Sequence, residues 1–327
     1  LQAIVDIFSI YGNEVVNGKG KVDSISLHKM FYKVLKNSDL PECQVVAAEG
    51  LCKLFLADIF TDDDLFETLV LSYFSPANAT NEPLIQVFAF SLPVYCLSHP
   101  VHQVKMSKVA ADVLLRLCIL WGDLQSSPDR NIKGTVMLKP NVIIQQLIHW
   151  TDPRKVVNKK EEDAAKSSVQ LDFLLDLLHI FSQINKKDIK RMILTNINNF
   201  YVTSQQPIEK LKQVQSLIND FLQNETLDNL CKNSLTKFNS NLSAQVEAAM
   251  LQFNESKEED RLGYTDQELS QILDESMAIE NENSSDKEIN DQIMNDNNGA
   301  LPTDMSNIDN NVRKRNRTEV ENSNVKS

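Results

Sequence analysis

The chain has 327 residues, 42% of them hydrophobic, with only 8 glycines, 10 prolines and a net charge of −12. So few chain breakers in an apolar-rich sequence argue for helices and against a many-turned sheet. Five scattered cysteines (Cys43, Cys52, Cys96, Cys118, Cys231) fall in no metal or redox spacing and read as buried thiols in a reducing compartment.

No apolar run reaches the roughly 20 residues of a membrane helix. The first residues, LQAIVDIFSIYG, have no basic n-region, no cleavage-like site and no starting Met, so they read as the interior of a longer helical protein rather than as a signal peptide. The acidity is uneven. Residues 1–254 hold 25 basic against 27 acidic residues, and 255–327 hold 8 against 18. Within the first part, 1–99 carry 6 against 12, whereas 100–212 carry 17 against 11, which suits one face that meets an anionic partner.

In chain order, residues 2–17 give a first helical pattern with Ile4, Ile7, Phe8, Tyr11 and Val15 on one stripe, broken at Gly18-Lys19-Gly20. Ser24 is placed to cap a second helix that turns Leu27, Phe31, Val34 and Leu35 inward. Pro41 suits the first turn of a third, whose stripe is Ala47, Ala48, Leu51, Leu54 and Phe55. Thr61-Asp62-Asp63-Asp64 starts a fourth, acidic residues being favoured at a helix N-terminus. It ends at Tyr73-Phe74-Ser75-Pro76. A pair follows over 82–97 and 99–121, with Pro93 expected to kink the first or end it early. Residues 122–139 read as a polar loop, a short helix reaches Trp150, and 151–167 read as a charged linker. Helices are then predicted over 168–184, 187–200, 207–223 and 226–253. The last carries Leu227, Leu230, Cys231, Leu235, Phe238, Leu242, Val246, Ala249 and Phe253 on its stripe.

Helix pairs recurring at about 40 residues are the spacing of a HEAT-type solenoid. The predicted fold is therefore all-α, a HEAT-repeat-like solenoid of antiparallel helix pairs over 1–254. An irregular helical bundle also fits the pattern. From 255 onward Asn, Asp, Glu and Ser dominate, and residues 255–327 read as an acidic disordered tail in which Thr265–Ile279 alone keeps a helical register.

The residues offer no catalytic arrangement, no cofactor loop and no metal set. Glycines never fall in phosphate-loop order, and no nucleophile is marked with its base. His99 and His102 read as loop-surface residues, and Asp62-Asp63-Asp64 as a solvated helix start. The basic groups stand out instead: Lys105 and Lys108 on one helix, Lys159 and Lys160 in the linker, and Lys186, Lys187, Lys190 and Arg191 on the first turns of another, with Ile189, Ile193 and Leu194 turned to the core. They read either as a solvated charged face or as contacts to a phosphate backbone, which ask only for mobile positive ends. Cations at a helix start do nothing for helix stability. Ser127 in Ser-Pro-Asp-Arg fits a proline-directed kinase and Ser285 an acidic-directed one. Arg313, Lys314, Arg315 and Arg317 read as a nuclear localisation signal or a solvated basic patch.

Glu49-Gly50-Leu51-Cys52-Lys53-Leu54, Tyr73-Phe74-Ser75-Pro76, Leu84-Ile85-Gln86 and Phe90-Ser91-Leu92-Pro93-Val94-Tyr95 resemble motifs of the C-terminal domain of the condensin subunit 3 (CAP-G type) family, best over 1–200. Ile85 stands where that family is expected to carry an arginine. In physical terms, Gly50 is expected to permit close helix packing, Glu49 and Lys53 form an i,i+4 pair, and Tyr73, Phe74, Phe88 and Phe90 read as core rather than docking residues. The resemblance implies a non-catalytic HEAT subunit of the complex that condenses mitotic chromosomes. Its implied partners are the kleisin subunit, double-stranded DNA without sequence preference and, indirectly, the SMC ATPases. It implies no cofactor, membrane or small-molecule substrate, and a place in the nucleus on the chromosome. The rival reading is a HEAT-repeat adaptor of another chromosomal or transport complex that binds protein and not DNA.

Overall fold

The computed structural model describes residues 1–12, 24–126, 137–181, 183–184 and 186–262. They fall mostly in one compact unit, Leu1–Glu258; the second unit, Glu259–Ser327, lies almost wholly outside the described residues.

Among the described residues there are twelve α-helices and no strand. They are α1 (Gln2–Tyr11), α2 (Ser24–Leu35), α3 (Pro41–Leu56), α4 (Asp63–Phe74), α5 (Glu82–Ser98), α6 (Pro100–Ser126), α7 (Pro140–Trp150), α8 (Glu161–Lys166), α9 (Val169–Phe181), α10 (Lys187–Asn196), α11 (Ile208–Asn224) and α12 (Asn229–Leu262). Alternate helices share a layer. In one layer α1 packs on α3 and α3 on α5, with α7 and α10 continuing; in the other α2 packs on α4, α4 on α6, α6 on α9 and α9 on α11. The layers meet over one continuous apolar core. α12 runs antiparallel to α11, as shown by Gln215 bonding to Ser243 and Asn239 to Asn219.

The local signals act where expected. Pro41 occupies the start of α3, and the Asp62 carboxylate caps α4 by accepting from the Leu65 N–H at 2.7 Å. Leu27, Phe31, Leu35, Ala47, Ala48, Leu51, Leu54 and Phe55 are all buried. Gly50 lies against α1, where an added Cβ would stand 2.5 Å from Val5 Cγ2.

Other expectations need correction. Pro93 does not end α5 early, since the helix continues through it to Ser98; the carbonyl left without a donor belongs to exposed Ala89, where water can reach it. Residues 151–167 are a folded connection rather than a loose linker: Thr151, Asp152 and Pro153 are buried, a 3₁₀ turn spans Pro153–Lys155, and the Val157 N–H donates to the Leu97 carbonyl at 2.8 Å. Leu230 and Phe253, expected inward, are 51% and 48% exposed, while the rest of that stripe from Cys231 to Ala249 is buried. Cys43 is exposed, unlike the other four cysteines. Phe90, expected in the core with Phe74 and Phe88, is 72% exposed. His102 is no loop residue. It is buried in α6, stacked on Tyr95 at 4.2 Å, with Nε2 3.2 Å from the Asp58 carboxylate and Nδ1 3.0 Å from Ser98 Oγ.

Candidate nucleic-acid interface

Helix α6 sets the distances between the basic groups. At its N-terminal end, Lys105 Nζ donates to the Thr61 carbonyl at 2.6 Å and pairs with the Asp63 carboxylate. The 151–160 connection is tied to the same end through Leu97. Near its C-terminal end, Lys186 Nζ lies over Gly122 and 4.0 Å from Asp123. Lys105 and Gly122 are 17 residues apart (122 − 105), about 25 Å of helix. The structure thus brings Lys105, Lys108, Lys159 and Lys160 towards one edge of the layers and Lys186, Lys187, Lys190 and Arg191 to the other; they do not form one patch.

Within each group the cations differ. Lys105 is largely buried by its partners, 16% exposed, and joins α6 to the start of α4. Lys108, one turn on, is exposed. Lys159 is partly buried, which pushes its ammonium below the ordinary lysine value against the opposing pull of Asp163. Lys160 is exposed at the start of α8. On the second edge, Lys190 Nζ grips both oxygens of Glu225, at 2.9 and 3.0 Å, and lies 4.7 Å over the Phe181 ring. Arg191 faces Asp228 at 3.6 Å. Lys187 is exposed beside them, in a cavity of about 320 Å³ lined also by Thr226 and Leu227. Ile189, Ile193 and Leu194 anchor α10 beneath, as the sequence predicted.

Sequence reasoning passed over Arg154 and Lys155, although Pro-Arg-Lys lies four residues before Lys159. Arg154 holds Asp152 through two hydrogen bonds of 2.9 and 2.8 Å and lies 4.3 Å over the Tyr201 ring; the Asp152 bond raises its pKa further. Lys155 Nζ meets His149 Nδ1 at 2.6 Å. Burial, then the Lys155 charge, lowers the His149 pKa, so neutral imidazole accepts that bond. Ser127, Ser285, Arg313, Lys314, Arg315 and Arg317 lie outside the described residues.

Among the described residues no group of three or more His, Cys, Asp or Glu is placed to hold a metal ion. Ser98, His102 and Asp58 line up in the order of a hydrolytic triad, but Ser98 Oγ donates to the Tyr95 carbonyl at 2.9 Å and the arrangement fastens the α5–α6 corner to the end of α3.

Two stacked helical layers over a continuous apolar interior define a HEAT-type α-solenoid segment. Residues 1–202 match the family described as nuclear condensing complex subunits, C-terminal domain (Cnd3), and the chain belongs to that family. It is 53% identical over 98% of its length to condensin complex subunit 3 of Saccharomyces cerevisiae and 23% identical over 75% to that of Schizosaccharomyces pombe. It spans 31% and 28% of those relatives. The crystal structure of the S. pombe condensin Cnd3-Cnd2 subcomplex superposes with a TM-score of 0.56 over 67% of this chain and 28% of that one; at 20% identity this likeness carries the fold.

Proposed function

We propose that the chain is part of a non-catalytic HEAT-repeat subunit of a condensin complex, which binds the kleisin subunit and double-stranded DNA during mitotic chromosome condensation. The observation that carries this reading is the match to condensin complex subunit 3 over 98% of the chain. A solved S. pombe structure pairs Cnd3 with Cnd2; the kleisin is the corresponding partner proposed here, with the SMC ATPases joined through it. The localisation that follows is the nucleus and the chromosome.

DNA is met through phosphates and not base edges, since single lysine ammoniums on mobile stems, set on separate helices and a connection, make no bidentate contact with a base edge. Exposed Lys108, Lys160 and Lys187, which form no ion pair among the described residues, together with the loosely paired Lys186 and half-buried Lys159, are the contacts supported best. Lys105, Lys190 and Arg191 are assigned a structural role first, because each faces a carboxylate. Ser127 and Ser285 as kinase targets, and Arg313, Lys314, Arg315 and Arg317 as an import signal, belong to the same reading. The test is binding to random-sequence duplex DNA across a salt series, with and without a kleisin segment. Affinity that falls steeply with salt and strengthens with the kleisin is expected; no binding in either case would leave protein docking as the function.

A further inference from the structure

Helix α5 is apolar on both faces. Leu84, Phe88, Leu92, Tyr95 and Cys96 are buried, while Phe90 and Val94, one turn apart, face outward at 72% and 38% exposure, with partly buried Val87 one turn before them at the core's edge. A helix that is apolar all round belongs between two partners, and α5 has one of them uncovered. Beside Phe90 and Val94 runs a groove of about 270 Å³, lined on α3 by Cys52, Lys53 and Leu56. We propose that this groove docks a short peptide carrying an apolar anchor flanked on both sides by Lys or Arg, independently of the DNA-facing lysines.

The flanking charge follows from what surrounds the groove. Inside it, Lys53 is cancelled by Glu49 at 2.7 Å. α3 and α5 start together, since Asn81, which caps α5, donates to the Pro41 carbonyl at 3.1 Å. Exposed Glu42 and Glu82 therefore lie at one end; at the other, just past Leu56, is Asp58, whose carboxylate meets His102 through one oxygen at 3.2 Å while its side chain stays 66% exposed. Residues 1–99 as a whole carry 6 basic against 12 acidic side chains, so the surroundings favour a cationic partner. Glu42 and Leu56, which Asp58 closely follows, are 14 residues apart (56 − 42) within α3, about 21 Å along its axis. An extended peptide covers that distance in about six residues at 3.3 Å each. The anchor then sits midway, against Phe90, as exposed aromatics at groove centres act in other interfaces.

The test is selection of a random peptide library displayed on phage against the full chain, followed by affinities of the enriched peptides for wild type, Phe90→Ala and the double variant Glu42→Lys/Glu82→Lys. Enriched sequences with an apolar residue between Lys or Arg, losing tenfold or more in affinity on Phe90→Ala and several-fold on the charge swap, are expected. Both variants alter exposed side chains, and unchanged thermal melting separates impaired docking from impaired folding. Enrichment of acidic-flanked peptides, equal binding to Phe90→Ala, or no enrichment overturns the proposal. So does light scattering in which wild type is a dimer and Phe90→Ala a monomer, because the occupant would then be a second copy.

Discussion

Replacing Lys190 by Ala separates structural from DNA-facing cations on α10. Its side chain is 20% exposed, and its ammonium bonds both oxygens of Glu225 and lies over Phe181. Losing a charge-assisted hydrogen bond costs about 1.5–3 kcal/mol and the cation–π contact about 0.5–1. With some solvent access to the pair, about 2–3 kcal/mol is expected. At about 2–4 °C per kcal/mol for a unit of this size, melting falls by roughly 4–12 °C. Lys187→Ala, on the next turn back and exposed, should stay within about 0.5 kcal/mol. Urea unfolding followed by circular dichroism, with a double-mutant cycle against Glu225→Ala, measures the pair itself. A coupling of about 1–2 kcal/mol is expected, and one below about 0.5 would refute the structural role. Reversing all four α10 cations would mix unfolding with weakened DNA affinity, so the informative variants are those at Lys186 and Lys187.

Gln170, 1% exposed, donates to the Ile148 carbonyl at 2.6 Å and accepts from the Tyr201 N–H at 2.6 Å. Gln170→Leu keeps its volume and should lower the urea midpoint by the equivalent of about 2–4 kcal/mol with an unchanged m-value; a loss under about 1 would count against it. Gly50→Ala gains about 1 kcal/mol of helix propensity yet should destabilise, because the new Cβ meets Val5. Adding Val5→Ala should recover part of the loss, and strictly additive effects would show the contact to be slack. Glu67 is the pH probe. Burial is the main cause of its raised pKa, ahead of Arg116, which opposes the rise, and Asp112, which adds to it. The folded state therefore holds its proton more tightly than the unfolded chain, so this group's contribution to stability falls as pH rises through the folded value. Glu67→Gln should match wild type well below the ordinary value of 4.5 and gain on it as pH rises to neutral. A growing deficit towards neutral pH, measured by thermal melting, would make the Arg116 pair dominant.

The helical layers were legible because apolar spacing reports which face of each helix is buried. Leu27, Phe31 and Leu35, or Leu211, Val214 and Ile218, need nothing beyond their own register. What spacing does not carry is the meeting of polar groups far apart in sequence. Gln103 donates to the Asp152 carbonyl 49 residues on, and Lys105 reaches Thr61 44 residues back. Gln44 joins the Leu35 carbonyl to Asn78 and Asn81. Such buried amides look like surface residues in a sequence, and carboxylates supplied by other turns decide which lysines stay uncommitted. The outward stripe of α5 misled for the opposite reason: apolar periodicity marks a face that wants covering without saying whether this chain covers it.

The most direct measurement compares the salt dependence of duplex DNA binding by wild type and a Lys108→Glu/Lys160→Glu/Lys187→Glu variant, in complex with the kleisin and with unchanged thermal melting. If these lysines face phosphates, affinity drops and the slope of log K against log salt shrinks by about 0.9 for each phosphate no longer neutralised. If affinity and slope are both unchanged, the cations are an ordinary solvated surface and DNA is held elsewhere in the complex.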